Sequence, residues 1–431
     1  MRRGARHRRP GPTIACALLR SVMAVPNALV LPVAGYLAIV TAAAWRARSR
    51  GEHRTALPPA PHHRFVVLIP AHDEERLVGS ALESLAALDY PAELVRVHVV
   101  ADNCTDHTVD VVRSCGVEAH ERSAPDDPGK GPALRWLLQR LWDRDEPHDA
   151  VVIIDADTTV SRNLLLVADA KLAAGSRVVQ AHYAVREADS SATTAFRSAA
   201  LAVRHYLRPL GRVHLGGSVG LYGNGMVFTA DVLRARTFSN HLTEDIELGL
   251  DLLLEGTTVA FAPDAVVEAE MPATVEASRT QHERWERGRL EMTRRYVPAL
   301  LRKAATGGPA GRVAYADAAA EQLLPPFSLV AAASAGATAF AALGAVLLPG
   351  RRSRRRLAAS LAASAVQVVY VLSGLRMVDA PAAVYRSLLG APKLVLWKVG
   401  LWFRVLRQPD EVAWVRTARN AEAPTAATGD S

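Results

Sequence analysis

The chain has 431 residues, a formal net charge of +8 and a hydrophobic share of 50%. This length is enough for two domains, or for one domain with membrane segments. Basic residues gather at positions 2–9, 46–54 and 351–356, each beside a long apolar run. That placement favours a membrane surface over nucleic acid as the partner. The cysteines show no zinc-type spacing, so a reducing compartment is the simpler interpretation, and a Cys104–Cys115 disulfide stays open.

The first long apolar stretch predicts an uncleaved transmembrane anchor over residues 21–45. This stretch carries no charge. It exceeds the roughly 20 residues needed to cross a bilayer, and also the apolar core of about 7–15 residues of a signal peptide. The anchor follows a basic tail at 1–20 and precedes a basic, proline-rich linker at 46–63.

The middle of the chain, 64–305, predicts an α/β domain with a doubly wound, mostly parallel sheet. Apolar strands are expected at 65–70, 97–101 and 151–154, and helical patterns separate them. Such alternation is typical of parallel sheets. Later elements are less regular: a helix at about 192–207, a glycine-rich stretch at 215–225, a helix from about 243, a short strand at 258–261 and a helix at about 275–296.

The C-terminal part predicts further membrane segments. Uncharged runs indicate transmembrane helices over 323–350 and 357–378, joined by an arginine-rich loop at 351–356. A simple crossing would leave this loop outside, against the positive-inside tendency, so a re-entrant hairpin stays open. Aromatic and basic residues mix over 388–407, which predicts an interfacial amphipathic helix. The small, polar segment 420–431 predicts a disordered tail.

Two carboxylates, Asp155 and Asp157, follow the most apolar of the predicted strands. Residues two apart in an extended backbone point to the same side, so both carboxylates face one site. Hard oxygen ligands in that arrangement suit a divalent metal that carries a diphosphate. Taken alone, the pattern is equally compatible with one Asp capping the following helix.

Four charged stations occur in one order along this domain: Asp102, Asp155-Ala156-Asp157, Thr243-Glu244-Asp245 and Gln281-His282-Glu283-Arg284-Trp285. In this combination the chain resembles the membrane-bound family 2 glycosyltransferases, which include cellulose, hyaluronan, chitin and poly-N-acetylglucosamine synthases. The resemblance covers about residues 65–296 and the flanking membrane helices. It implies a GT-A fold with a nucleotide-sugar site.

The resemblance also implies which residues bind the donor and the metal. Asp102 would bind the nucleobase, and an Asx turn at a strand end is its alternative. Lys130 lies between two glycines and would meet a phosphate, although a solvated turn lysine is nearly as plausible. Asp157, together with Asp155, would hold Mg²⁺ or Mn²⁺ on the diphosphate.

One face of the helix at about 275–296 carries the remaining donor and acceptor residues. Gln281 and Arg284 would bind the donor, since a guanidinium stays charged and donates bidentately to a diphosphate. Trp285 would bind the acceptor, because an indole offers a flat apolar plate to a sugar ring. Packing of this indole into the core is the alternative interpretation. Asn224, among glycines, is a second candidate for acceptor binding.

The general base is the last role that the resemblance implies. Asp245, with Glu244 beside it, would take the proton from the acceptor hydroxyl. Acids in a first helical turn also stabilise a helix with no function, and the same dipole would lower the pKa of Asp245. Burial and a nearby anionic donor would raise it again.

These residues lead to one hypothesis: an inverting glycosyltransferase, multi-pass in the cell membrane, with a cytosolic catalytic domain. It would transfer a sugar from a nucleotide-diphospho-sugar, with a UDP-sugar favoured, to a polysaccharide or a lipid-linked acceptor. The alternatives are a non-processive transferase that adds one sugar to a lipid, a nucleotidyltransferase, and a non-catalytic membrane scaffold that retains the fold.

Overall fold

The computed structural model describes residues 25–57, 60–236, 238–239, 243–271 and 279–407, with backbone only at 279–285, 309–310 and 403–407. These residues divide into two compact units. One consists of residues 25–39, 325–370 and 393–399. The other holds the α/β domain together with short flanking segments.

The α/β domain is built on one mixed sheet, which has eight strands within the described ranges and the order β3-β2-β1-β4-β7-β6-β8-β5. Neighbours are parallel from β3 through β4 and between β6 and β8, and antiparallel at β4–β7, β7–β6 and β8–β5. The strands are β1 Phe65–Ala71, β2 Val95–Asp102, β3 Glu118–Arg122, β4 Ala150–Ile153, β5 Thr158–Val160, β6 Val178–Val185, β7 Met226–Thr229 and β8 Val259–Ala269.

Helices cover both faces of the parallel half of the sheet, as its apolar strands require. Successive residues of β1 from Phe65 to Ile69 are all at most 1% exposed, so neither face of this strand meets solvent. Its alternate residues Phe65, Val67 and Ile69 pack in a cluster with Val78 and Leu165. The helices of this half are α2 Val78–Ala86, α3 Thr108–Ser114, α4 Lys130–Asp143 and α5 Leu164–Ala173.

The prediction of a mostly parallel α/β sheet is confirmed, with an antiparallel insertion that the sequence did not reveal. Strands β6 and β7 were not predicted. Strand β8 runs far beyond the expected 258–261, because Pro263 and Asp264 resemble a turn although the strand continues through them. A register shift between Ala181 and His182, opposite this stretch of β8, accommodates the irregularity.

A second set of helices follows the sheet. A π-helix at Ala202–Leu207 joins α6 and α7 into one rod. The helices of this set are α6 Ala192–Leu201, α7 Arg208–His214, α8 Ala230–Arg234, α9 Glu244–Leu254, α10 Arg279–Thr306 and α11 Pro309–Leu323. Buried residues of α9, α10 and α11 share one apolar cluster, so these three helices pack together.

Three helices are long and apolar enough to cross a membrane within the part of the chain that the structure describes: α1 Val25–Ser49, α12 Phe327–Leu347 and α13 Arg351–Met377. The expected arginine-rich loop at 351–356 is wrong, because these residues form the first turns of α13. The connection is residues 348–350 instead. Arginine is a good helix former, so a charged run beside an apolar one does not have to break the helix.

Polar side chains join the helices of the smaller unit. Asn27 donates to the Arg356 carbonyl at 3.0 Å and accepts from Ser360 Oγ at 2.6 Å. Gln367 donates to Ser334 Oγ at 2.5 Å. All these side chains except Arg356 are buried. The bonds therefore connect α13 with α1 and with α12.

The remaining predicted segments are only partly described. Helix α1 continues through Ser49 into the predicted linker, and α14 Ala382–Ser387 and α15 Ala391–Arg407 cover the region of the predicted interfacial helix. The predicted basic tail at 1–20 and the tail at 420–431 lie outside the described residues. Cys104 and Cys115 are free thiols, so the disulfide left open by the sequence is absent between them.

Candidate active site

The site is assembled where β4 ends and the glycine-rich loop returns to pair with it. Gly225 donates its backbone N–H to the Ile153 carbonyl at 3.0 Å, just before β7 runs antiparallel to β4. This pairing brings Asn224 and Gly223 next to Asp155, which lies two residues after the end of the strand. Two segments about 70 residues apart in the chain thus form one edge.

Lys130 links the two sides of that edge. It is the first residue of α4, and its ammonium donates to Asp155 Oδ1 and, at 2.6 Å, to the Gly223 carbonyl. Its side chain is 24% exposed and that of Asp155 is 32% exposed, so the ion pair lies at the mouth of the site. The predicted contact of Lys130 with a phosphate stays a prediction, and its side chain is bonded to Asp155 and Gly223 instead of being a fully solvated turn lysine.

Asn224 is placed beneath the site, away from solvent. It is fully buried; its Oδ1 accepts from the Asp155 backbone N–H at 3.2 Å, and its Nδ2 donates to Thr158 Oγ1 at 2.7 Å. Buried Gln180 donates to the Asn224 carbonyl at 2.7 Å. A direct acceptor contact, as predicted from the sequence, would require the amide to break these bonds. The structure makes Asn224 a positioning residue for Asp155.

Gly223 allows Asp245 to approach Lys130. This glycine has a φ of +79°, in the left-handed region. A Cβ at this position would lie 3.3 Å from Asp245 Oδ2 and 3.7 Å from Lys130 Nζ. The absence of a side chain therefore lets the first turn of α9 come close to the Lys130–Asp155 pair.

The acids of α9 have raised pKa values, against the expectation from a helix N-terminus. Burial, followed by the charge of Asp245, raises the pKa of Glu244 to about 7. Burial also raises the pKa of Asp245, although backbone N–H groups and Lys130 act in the opposite direction. Desolvation therefore exceeds the dipole effect here. A carboxylate with such a pKa can accept a proton near neutral pH.

The charges at this edge fit a divalent cation. Burial lowers the pKa of Lys130, but Asp155 and Glu244 outweigh it and the net shift is upward. The Lys130 ammonium thus interacts with the carboxylates of Asp155, Glu244 and Asp245, and one positive charge does not neutralise three negative ones. Asp157 is partly exposed two residues after Asp155 and adds a further carboxylate. Two such oxygens plus substrate phosphates are the ligands that Mg²⁺ commonly takes in nucleotide enzymes.

An aromatic stack lies on the other side of these carboxylates and was missed from the sequence. His205, in the π-helix, stacks on Tyr222 at 4.1 Å and on Tyr183 at 5.3 Å between ring centroids. Burial and then the charges of Asp155 and Asp157 raise the pKa of Tyr183, which places its phenol near the two acids. The available signal was weak: π-helical turns often mark functional sites but have no sequence pattern.

Asp102, predicted to bind the nucleobase, is buried and bonded within the protein. It ends β2 and is 5% exposed. One carboxylate oxygen accepts from Arg122 at 2.5 Å and the other from the Gly129 N–H at 3.2 Å. Arg122 in turn donates to Asp127 at 2.9 Å. These bonds hold the loop that leads to Lys130, so Asp102 helps to fix the position of Lys130. Its predicted contact with the nucleobase stays a prediction.

The last predicted station lies on α10. The backbone of 281–285 is helical, and the side chains of Gln281, Arg284 and Trp285 lie outside the described part of the chain. Downstream residues tie this helix to α9: Arg295 donates to Glu247, and Tyr296 donates to Asp251 at 2.7 Å.

The comparison with known families shows to which class of protein the chain belongs. The family described as "Glycosyltransferase like family 2" matches residues 61–288, which is more than half of the 431 residues. The chain therefore belongs to the family 2 glycosyltransferases. The match covers all four stations of the sequence analysis.

Individual relatives are more distant. The chain is 27% identical over 236 residues to a beta-monoglucosyldiacylglycerol synthase of Synechocystis, covering 53% of this chain and 48% of that protein. It is 25% identical over 235 residues to the probable glycosyltransferase YdaM of Bacillus subtilis, covering 52% and 54%. The chain thus spans about half the length of the curated relatives it matches.

A solved structure resembles the chain at 19% identity with a TM-score of 0.47, covering 80% of this chain and 99% of that one. It is a mannosyltransferase from Pyrobaculum calidifontis in complex with GDP-Man and Mn²⁺.

Proposed function

We propose that this protein is a metal-dependent, inverting glycosyltransferase that moves a sugar from a nucleotide-diphospho-sugar to a lipid or lipid-linked acceptor at the membrane. The observation that carries the proposal is the meeting of Lys130, Asp155 and the acids of α9 at one edge of the sheet. It combines a phosphate-binding cation, a metal-binding carboxylate and a candidate base. A nucleotidyltransferase would not need the last of these.

The donor side of the proposed site is formed by Lys130, Asp155 and Asp157. Asp155 and Asp157 would hold Mg²⁺ or Mn²⁺, which supplies charge stabilisation for the departing diphosphate. Lys130 binds Asp155 in this structure. It would also bind a phosphate oxygen of the donor at the same edge. Arg284 and Gln281 are proposed to bind the diphosphate from α10, and a UDP-sugar is the proposed donor.

The acceptor side is formed by Asp245, with Glu244 and Trp285. The acceptor hydroxyl oxygen attacks the anomeric carbon while the bond from that carbon to the diphosphate breaks, which inverts the configuration to β. Asp245 accepts the hydroxyl proton. Glu244 lies beside Asp245, and the charge of Asp245 raises the pKa of Glu244. Trp285 is proposed to contact the acceptor.

A lipid acceptor is favoured over a growing polysaccharide. Three long apolar helices are compatible with membrane association. The three such helices among the described residues are few for a channel that exports a polymer, and the Synechocystis relative is named for a glucosyl lipid. The proposed location is the cell membrane, with several spans and a cytosolic catalytic domain.

The test is transfer by the purified, detergent-solubilised protein with a panel of nucleotide sugars and diacylglycerol, analysed by mass spectrometry. We expect a lipid carrying one β-linked sugar. Asp245→Asn should abolish transfer and keep nucleotide binding, whereas loss in Glu244→Gln alone would name the other carboxylate as the base. Asp157→Asn should lose turnover, as should chelation, and Mg²⁺ or Mn²⁺ should restore the chelated wild type.

Each competing interpretation has its own outcome in the same experiment. Long carbohydrate products would replace the lipid acceptor with a polysaccharide. Failure to bind or hydrolyse any donor would leave the non-catalytic scaffold. Undiminished turnover in EDTA would remove the metal from the proposal.

A further inference from the structure

Two buried histidines lie next to each other on β2 and β3, the strand pair at one edge of the sheet, away from the candidate active site. His98 lies in the middle of β2, and His120 lies on β3. They are 3% and 5% exposed. The parallel register pairs His98 with Glu118, two residues before His120, so the three side chains share one face.

The three side chains offer their ligand atoms to one point. His98 Nδ1 lies 3.1 Å from His120 Nε2 and 3.4 Å from Glu118 Oε2, and His120 Nε2 lies 3.5 Å from Glu118 Oε1. Zinc bonds of 2.0–2.2 Å in a tetrahedron place neighbouring ligand atoms about 3.3–3.6 Å apart. The distances from His98 Nδ1 to His120 Nε2 and to Glu118 Oε2 are close to two edges of such a tetrahedron, and one ligand atom from each of the three residues lies within 4.8 Å of the other two.

We propose that His98, His120 and Glu118 form a binding site for Zn²⁺ or a similar divalent transition metal, separate from the proposed Asp155–Asp157 site. Imidazole nitrogens select such metals over Mg²⁺, which prefers all-oxygen sites. Three protein ligands leave the fourth position to water. Glu118, whose side chain is 47% exposed, gives the ion a path from solvent.

Neighbouring groups already hold two of the ligands in the required orientation. His98 Nε2 is 3.0 Å from Glu146 Oε1, so the proton of this ring lies on Nε2 and the lone pair of Nδ1 faces the site. A carboxylate behind a ligating histidine is the usual second-shell arrangement of zinc sites. Arg144 donates to Glu118 Oε1 at 2.6 Å, which leaves Oε2 for the metal.

The position indicates what a bound ion would do. β3 is an edge strand, held by β2 alone in the described sheet. A metal shared by His98 and His120 would fasten it to its neighbour and, through Glu146, to the loop after α4. The last residue of β3 is Arg122, which binds Asp102 at the donor side. The proposed ion would thus stabilise β3 and the Arg122–Asp102 contact beside the candidate active site, without taking part in the reaction.

The experiment is metal binding by the full chain, stripped with chelator and kept in excess Mg²⁺ to occupy the Asp155–Asp157 carboxylates. We expect one equivalent of Zn²⁺ to bind and to raise the melting temperature by about 5 °C at saturation. Co²⁺ should give the visible absorption of a tetrahedral N/O site. Glu146→Gln should weaken binding by about 10–100-fold, as second-shell changes do.

Two site variants and two control variants make the test decisive. His120→Gln and Glu118→Gln should both lose the Zn²⁺-dependent rise in melting temperature, and Glu118 is exposed enough for its variant to fold. His107→Gln, at a histidine whose side chain is 81% exposed, should keep it, and so should Asp157→Asn. Zn²⁺ binding that is unchanged in Glu118→Gln and His120→Gln, or no binding by the wild type, would overturn the proposal. In the latter case His98 and His120 only bond each other.

Discussion

At the scale of single residues, Lys130 controls the charge balance of the site. Its ammonium forms an ion pair with Asp155, and its charge also lowers the pKa of Glu244 and Asp245. One positive charge cannot neutralise all of these acids. Burial raises the pKa of Glu244, and the unneutralised charge of Asp245 raises it further.

The first prediction concerns pH. If Asp245 supplies the base, its raised pKa should make the transfer rate rise with pH above the usual range of a carboxylate, and the neighbouring Glu244 loses its proton at about 7. Lys130→Met removes a charge that favours the ionised form, so the rise should move to higher pH and the maximal rate should fall. The pH–rate profiles of both proteins, at saturating donor, measure this.

The control for this prediction is Lys171→Met, a lysine in the last turn of α5, which should leave the profile where it is. An identical midpoint in the Lys130→Met protein would show that the titrating group lies elsewhere.

The second prediction concerns Gly223. Alanine there would combine a left-handed backbone, which costs about 1–2 kcal/mol, with contact against Asp245 Oδ2. Gly175 has a φ of +92° but open space around its Cα, so Gly175→Ala carries the same kind of strain without the crowding. Both variants should lose stability to a similar extent in thermal denaturation. Only Gly223→Ala should lose transfer rate, by at least about tenfold (1.4 kcal/mol).

Equal activity of the two glycine variants would mean that the distance between Gly223 and Asp245 has no role in catalysis. The comparison thus separates backbone strain from the crowding of the candidate base.

At the scale of elements, the packing of α10 on α9 decides where the Gln281–Trp285 segment lies. Gly288 makes this contact close, because a Cβ there would overlap the Thr243 side chain. Buried Glu247 accepts from Arg295 on α10 and from Ser239 Oγ at 2.5 Å. The helix with the candidate base and the helix with the donor residues therefore form one block.

The third prediction tests this block. Tyr296 is 3% exposed and donates to Asp251 at 2.7 Å across the two helices. Tyr296→Phe keeps the ring and removes the bond, which should cost about 0.5–1.5 kcal/mol of unfolding free energy. A looser block should also raise the KM for the donor. Thermal unfolding and transfer kinetics measure the two effects.

Tyr315→Phe, at a partly buried tyrosine packed on the same apolar cluster, is the matched variant and should change both quantities less. A KM that stays constant in the Tyr296→Phe protein would separate the position of α10 from donor binding.

At the scale of the whole molecule, the helices of the smaller unit are joined by buried polar side chains as well as by apolar contacts. Small residues such as Ala34, Ala337 and Ala363 lie at their interface, where they allow close approach. Polar bonds between such helices have few competitors in a membrane. This combination is typical of helix association within a bilayer.

The fourth prediction belongs to this unit. Asn27→Ala removes the bonds to the Arg356 carbonyl and Ser360, each typically worth about 0.6 kcal/mol between membrane helices. We expect a lower melting temperature in detergent and an unchanged KM for the donor, since the active-site residues belong to the other unit. Leu29→Ala, at a residue 69% exposed, is the control and should behave like the wild type. A lost donor affinity in Asn27→Ala would contradict this separation.

The sequence by itself determined the elements whose signal is local. The apolar runs of β1 and β4 predicted buried parallel strands, and the order of the acidic stations identified the family. Uncharged runs of sufficient length predicted the long apolar helices. The apolar runs and each single station depend on residues within one or two dozen positions of each other, because periodicity and hydropathy are properties of a short segment. The four stations extend from Asp102 to Trp285, so the family followed from their order along the chain and not from their contacts.

The tertiary structure decided which distant residues meet and which are buried. The antiparallel return of β7 beside β4 set Asn224 beneath Asp155 and brought Gly223 to Lys130, whereas the sequence predicted for this glycine-rich stretch only that Asn224 could bind the acceptor. Burial then raised the pKa of Asp245, where the helix dipole alone predicted a decrease. His98 and His120 show the same rule, since 22 positions and a helix separate two rings that parallel strand pairing brings to 3.1 Å. Desolvation and long-range pairing depend on the packed chain, and no local pattern contains them.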